Sequence, residues 1–297
     1  MPNQEMLDAR DAQAWTAERR FAPTSAGAVA YVERGTGPSA LFLHGFPLAG
    51  FQWRGVTARL AGRRRCIAPD MLGLGYTEVL PAQRVGFGDQ VVMLCELLDR
   101  LGAGPVDIVA NDSNTGVAQL LAARHPERVR SLLLTNGDTE LDSPPALLLP
   151  MIELGRAGQL ADAVIAPNLG SPAVAASPQG LGGLAYTDPA NLTEAAREHY
   201  LAPLVASPER KALVNAYAAA LAPNPLRGLE PELRKVAAPA RVLWGTGDVF
   251  FSREGASYLD RVLPNSRGVR EVPGAKLFFP EELPDLVAEE AIQLWED

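Results

Sequence analysis

Short apolar runs alternate with helix-period stretches along most of the chain. Residues 28–34 alternate loosely between apolar and polar positions and lead into the turn signal Gly35-Thr36-Gly37-Pro38. Residues 39–43, apolar after Ser39, read as a buried strand, so these first strands form the antiparallel edge of a sheet. Residues 52–60 read as a helix and 65–68 as a further strand, which ends in the glycine-rich loop Pro69-Asp70-Met71-Leu72-Gly73-Leu74-Gly75. In 87–101, Val91, Leu94, Leu98 and Leu101 fall at helical spacing, and Gly102 and Gly104 stop the helix. Residues 106–112 form a second buried strand that breaks into a polar turn, and a helix of small residues follows over 113–124. Residues 129–135 are the next apolar strand. Near the end of the chain come strands at 241–244 and 269–272 and helices at 254–263 and 283–295. This alternation predicts an α/β fold with a mostly parallel sheet covered on both faces.

The alternation is interrupted. From residue 141 to 227 there are many prolines and alanines, several helical patches and no convincing strand. Residues 151–166 read as helical, with interruptions at Gly155 and Gly158. Ser207-Pro208-Glu209 is a helix start, with serine as cap and proline in the first turn, and that helix runs to about Leu221. The segment carries enough Leu, Val, Ile and Tyr to pack, so it is expected to be a helical insertion rather than a linker.

Composition narrows the function classes. The chain has 297 residues, 47% hydrophobic and 21% charged, with a net charge of −8, which is ordinary for a globular protein. There is no long basic run, so neither nucleic acid nor an anionic membrane is expected as a partner. Arg63-Arg64-Arg65 is read as a solvated cluster ahead of a strand. No apolar run reaches the ~18 residues of a membrane span, and the polar first twenty residues lack the apolar core of a signal peptide. Two cysteines without a motif, Cys66 and Cys95, suit a reducing compartment, so a cytoplasmic location is expected.

The chemistry centres on Val106-Asp107-Ile108-Val109-Ala110-Asn111-Asp112-Ser113-Asn114. A strand, a tight turn and a helix is how a nucleophile is held above a sheet. In the pattern small-x-nucleophile-x-small, the nucleophile would be Asp112, flanked by Ala110 and Asn114. The positive end of the following helix lowers the cost of its ionised form. An alternative is that Asp112 simply caps that helix.

With these residues, the chain resembles the α/β-hydrolase fold superfamily, in its haloalkane dehalogenase and epoxide hydrolase branch, from about Tyr31 to Trp295. Four features in order carry the resemblance: His44-Gly45-Phe46-Pro47, the Pro69-Asp70…Gly73-Leu74-Gly75 loop, Asp112, and Asp248 after a late strand. It implies an eight-stranded, mostly parallel sheet flanked by helices. It also implies a core of residues 1–140 and 228–297, with a helical cap of 141–227 between the sixth and seventh strands. By resemblance, Phe46 and Ser113 supply the oxyanion-hole amides, Asp248 is the acid that orients a histidine, and Asp138 is an alternative site for that acid. His44, Asn111, Leu277, Phe278, Tyr186, His199, Tyr200 and Tyr217 are expected around the substrate pocket. No cofactor and no metal are implied, the partner is a small-molecule substrate, and the chain is expected as a monomer or homodimer.

The departures matter as much. The branch places a histidine after the last strand, and here Leu277 occupies that position. The chain has three histidines. His44 lies in the oxyanion loop, His125 closes a helix, and His199 lies in the insertion, from which it could reach a pocket. No Trp follows Asp112 to hold a halide, and no Arg beside it suits a haloacid. In epoxide-opening relatives cap tyrosines donate a proton, which brings in Tyr186, Tyr200 and Tyr217. Three readings stay open. The first is a hydrolase of a small, uncharged, apolar epoxide, halide or ester, with Asp112 as nucleophile. The second is a non-hydrolytic enzyme (elimination, isomerisation or cyclisation) with Asp112 as general acid or base. The third is a catalytically inactive ligand-binding homologue.

Overall fold

The structure, a computed structural model, describes residues 4–296. Nine strands make one sheet: β1 (Arg20–Thr24), β2 (Gly27–Arg34), β3 (Ser39–Leu43), β4 (Arg65–Pro69), β5 (Glu78–Val79), β6 (Val106–Asp112), β7 (Val129–Gly137), β8 (Ala240–Gly245) and β9 (Ser266–Val272). The main path has eight strands in the order β1-β2-β4-β3-β6-β7-β8-β9, and the two-residue β5 pairs with β2. Pairing is antiparallel from β1 to β4 and parallel from there to β9. Every residue of β3 and β6 is buried, as expected of central parallel strands covered on both faces.

The core helices are α1 (Gln4–Glu18), α2 (Arg54–Leu60), α3 (Phe87–Arg100) and α4 (Ser113–Arg124). Helix α1 carries no clear apolar stripe, which is why the sequence does not announce it. It is anchored by Trp15, whose ring meets Phe51 edge-on at 5.9 Å. The three arginines at 63–65 are not simply solvated: they reach Glu296, Asp107 and Glu33 respectively.

Between β7 and β8 only helices occur. They are α5 (Leu149–Arg156), a π turn (Ala161–Ile165), α6 (Ala166–Gly170), α7 (Pro172–Ala176), α8 (Leu181–Ala185), α9 (Glu194–Val205), α10 (Pro208–Ala220) and α11 (Glu230–Leu233), with short 3-10 turns. The Ser207 hydroxyl accepts from the Arg210 N–H at 3.3 Å, which is the expected cap of α10. Gly155 does not interrupt α5. A side chain there would come within 2.8 Å of the Asn215 carbonyl and 3.0 Å of Ala218, so glycine lets α5 lie close against α10. The chain closes with α12 (Arg253–Val262), α13 (Phe279–Glu282) and α14 (Pro284–Glu296). Among the described residues no helix is long and apolar enough to cross a membrane.

Candidate active site

Strand β6 runs straight into α4, and the joint between them is Asp112. Its backbone has φ 59 and ψ −137, a conformation that costs a non-glycine residue of order 1–3 kcal/mol and therefore needs surrounding structure to hold it. Its side chain does not cap α4. Instead Oδ2 accepts the Phe46 N–H at 2.6 Å, and the Ser113 N–H also supports the carboxylate. The loop after β3 comes this close because residue 45 is glycine: a Cβ there would lie 3.0 Å from the Asp112 carboxylate and 2.6 Å from the Phe278 ring.

Asp112 is 3% exposed. Burial pushes its carboxyl up to about 7, the two amides oppose the rise, and the charge of Asp248 adds to it. Asp248 is half-buried, and burial raises it to about 6 against the Phe250 N–H and the Asn136 amide. Its Oδ1 accepts from Phe250 N and its Oδ2 from Asn136 Nδ2, each at 2.8 Å. Asn136 is the residue the sequence did not point to, since nothing in its neighbourhood distinguishes it from a strand-end amide. It also accepts the Gly245 N–H at 2.6 Å, and so ties the ends of β7 and β8. Asp138 is fully enclosed behind the elbow. Burial holds its carboxyl well above the ordinary range, and the charge of Asp112 reinforces the rise.

A small cavity opens over Asp112. Leu148, Met151, Leu160, Val164, Ile165 and Leu184 form much of its wall, with Phe46, Phe250, Leu277 and Phe278 at the base. These helical lining residues were not singled out in the sequence. The i, i+4 pair Leu160 and Val164 was the available signal, but it reads equally as core. Asp112 is the only ionisable group among the described lining residues. Asn168 also lines it, but its amide is spent on the Val164 carbonyl and the Leu181 N–H.

Of the expected pocket residues, Leu277 and Phe278 line this cavity and the others do not. His44 is buried with both ring nitrogens engaged: Nδ1 lies 2.9 Å from the Gly45 carbonyl, and Nε2 accepts the Met71 N–H at 3.0 Å. Burial lowers its pKa, so it is a neutral structural group. Asn111 lies beneath the elbow. Its Oδ1 accepts from Gln52 Nε2 at 2.7 Å, and its Nδ2 reaches Thr135 Oγ1 (2.8 Å) and the Leu277 carbonyl (3.0 Å). It therefore fixes the backbone of the loop that carries Leu277. His199 packs against Phe51 at 4.4 Å and Tyr76 at 5.4 Å and faces a separate groove between α1 and α9. Burial drops its pKa to about 3. Tyr186 and Tyr200 both donate to Glu281, at 2.8 and 2.9 Å. Tyr217 stacks on Phe46 at 5.3 Å, and its hydroxyl lies 2.9 Å from Ser113 Oγ. His125 is partly exposed at the end of α4, 3.7 Å from Glu127. None of the three histidines faces the cavity.

Comparison with known proteins agrees with this fold. A family profile described as alpha/beta hydrolase fold matches residues 38–166. Haloalkane dehalogenase 2 of Mycobacterium tuberculosis is 29% identical over 95% of this chain and 96% of its own. Among solved structures, an alpha/beta hydrolase fold protein from Burkholderia ambifaria superposes with a TM-score of 0.79 at 20% identity, covering 92% of this chain and 97% of that one. An epoxide hydrolase solved without ligand superposes with a TM-score of 0.75 at 21% identity, covering 94% and 98%. The chain has the α/β-hydrolase fold and is a hydrolase-like enzyme, similar in sequence to a haloalkane dehalogenase and in fold to an epoxide hydrolase.

Proposed function

We propose that this enzyme acts on a small, uncharged, mostly apolar substrate through Asp112, whose carboxylate attacks an electrophilic carbon of an epoxide, halide or ester. The observation that carries the reading is the setting of that carboxylate: a strained elbow, two backbone N–H groups on it, and an otherwise apolar cavity above it. The carboxylate oxygen forms the new C–O bond as the old bond to that carbon breaks: a halide or alkoxide departs with the electron pair, whereas an epoxide oxygen keeps the pair, stays on the adjacent carbon and takes a proton from water. Water must then cleave the ester, and a positioned base normally speeds such a step by about 10²–10⁴. Leu277 fills the wall where the branch places its histidine, so the ester is long-lived. Asp248 and Asp138 are the remaining carboxylates that could draw a proton from water, and both hold raised pKa values.

Rapid-quench time courses with terminal epoxides and short haloalkanes test this reading. It expects a burst of about one halide released, or one epoxide consumed, per chain, followed by much slower turnover. No burst and no product across the panel would remove it.

A second reading is favoured by one observation: the three tyrosines that could protonate an epoxide oxygen are bonded elsewhere, which leaves Asp112 as the only acid facing the cavity. With its carboxyl at about 7, Asp112 could itself donate or take the proton in an isomerisation, elimination or cyclisation. This activity would fall as pH rises through 7 if the acid form works, whereas ester formation would rise.

A further inference from the structure

The helical segment between β7 and β8 is tied to the rest of the molecule through α8, α9 and α10. At α9, Glu5 accepts the Glu194 and Ala195 N–H groups at 2.9 and 3.0 Å, and Asp8 accepts the Thr193 hydroxyl at 2.8 Å. At α8, the Phe278 N–H donates to the Ala185 carbonyl at 2.9 Å, and Glu282 accepts the Thr187 and Asp188 N–H groups at 3.0 and 3.1 Å. At α10, Arg210 donates to the Gly75 and Thr77 carbonyls, and the Tyr217 hydroxyl meets Ser113. The first part of the segment is different. Among the described residues, α5, the π turn and α6 make no hydrogen bond and no ion pair with the core. Here the lining of the cavity runs out to the surface. Leu148 and Met151 from this part and Phe250 from the loop after β8 all line the cavity over Asp112, and Met151 and Phe250 are half-buried. Their chain neighbours Leu147, Leu149 and Val249 are exposed. So is Leu141, whose segment meets the same loop, with the Ser252 N–H 3.5 Å from the Asp142 carboxylate. These four side chains are between 44% and 57% exposed. Single exposed leucines need no explanation, but these flank the cavity lining from both banks of a stretch without a polar tie. Residues 143–152 carry no charged side chain.

We propose that the tail of the substrate leaves the cavity on this side and lies along Leu141, Leu147, Leu149 and Val249. The inference rests on the reading of Asp112 as the group that meets the reactive carbon, and it narrows the substrate class. The substrate is a linear aliphatic chain, longer than the small cavity can hold, with its epoxide or halide at one end. The cavity takes the reactive end, because Asp112 is the ionisable group among its described lining residues and the rest of the wall is largely apolar. The strip takes the tail, because each methylene laid on apolar surface leaves water and strengthens binding by about two- to fourfold. Only a chain that outgrows the cavity gains from the strip.

Isothermal titration of the full chain with straight-chain 1-alkanols, from butanol to decanol, tests the strip. These ligands carry no halide or epoxide, so their binding reports on the tail without the chemistry. Wild type is compared with a triple variant, Leu147→Ser, Leu149→Ser and Val249→Ser. Wild type is expected to bind each longer alkanol about two- to fourfold more tightly, up to decanol. In the triple variant the gain is expected to stop once the chain outgrows the cavity, so that decanol binds about tenfold or more weaker than to wild type. The same chain-length profile in both proteins, or no alkanol binding to wild type, would overturn the proposal. If the triple variant fails to fold, Leu149→Ser and Val249→Ser decide singly: a weaker decanol complex in either supports the strip, and unchanged affinity in both counts against it. Rates with 1-haloalkanes and terminal epoxides of the same lengths keep the two readings apart. If none reacts, the reading of Asp112 fails, while the alkanol profile still decides the strip.

Discussion

Asp112 is held where a carboxylate is least comfortable. Burial raises its carboxyl to about 7, well above the 3.8 of a free aspartate. The folded chain therefore binds this proton more tightly than the unfolded chain does. That contribution to stability is complete below about 4 and is lost as pH rises towards 7. Asp112→Asn is accordingly expected to stabilise the protein at pH 8, by roughly 2–4 kcal/mol in denaturant melts, and the gap should close at pH 4. The rate of ester formation should rise with pH and level off above 7, since only the ionised form attacks; a pre-steady-state rate profile checks this. Asp112 was legible in the sequence because a strand, a polar turn and a small-residue helix leave few other roles for the residue at the joint. Its pKa was not, because that depends on the Phe46 and Ser113 amides and the charge of Asp248, which the chain brings together from distant positions. Asn136 was invisible for the same reason.

Two helices tie the helical segment to the core, α10 from within it and α13 from the core side. Tyr217 of α10 touches both residues that support the carboxylate, with its ring on Phe46 and its hydroxyl on Ser113. Tyr217→Phe keeps the stack and should cost about 1 kcal/mol of stability with little change in rate. Tyr217→Leu should slow ester formation about tenfold, because the Phe46 amide is no longer held in line; losing such a donor outright costs about 10²–10³. Glu281 of α13 does the second job. It is buried and binds Arg54 Nη1 at 2.5 Å together with the hydroxyls of Tyr186 and Tyr200, so it joins the core to α9 and to the end of α8. Glu281→Ala leaves Arg54 with Asp8 alone and is expected to destabilise by about 3–5 kcal/mol, read by thermal or urea melting. Helix periods and caps in the sequence place α3, α4, α10 and α14 to within a residue or two. What they could not reveal is which partners the cap tyrosines choose. Apolar content alone suggested a pocket, whereas each hydroxyl went to the nearest buried acceptor or hydroxyl.

The whole molecule is a mostly parallel sheet flanked by helices that presents one carboxyl to an apolar chamber, with leucine where the resemblance expects a base. The resemblance to hydrolases was readable because its four motifs keep their order along the chain. The chamber was not, since its walls come from helices whose apolar residues look like any core. If ester breakdown is slow only for want of a base, Leu277→His should raise steady-state turnover by about 10² or more. If Asp112 is instead an acid–base group, the same change should give no gain. The most direct test of the central claim is intact-mass and peptide-mass spectrometry of the protein after exposure to a terminal epoxide or a short haloalkane. The account predicts one covalent adduct per chain, mapped to Asp112 and absent from Asp112→Asn. A wild-type chain that turns substrate over with no adduct at any quench time, or carries the same adduct when Asp112 is asparagine, would contradict it.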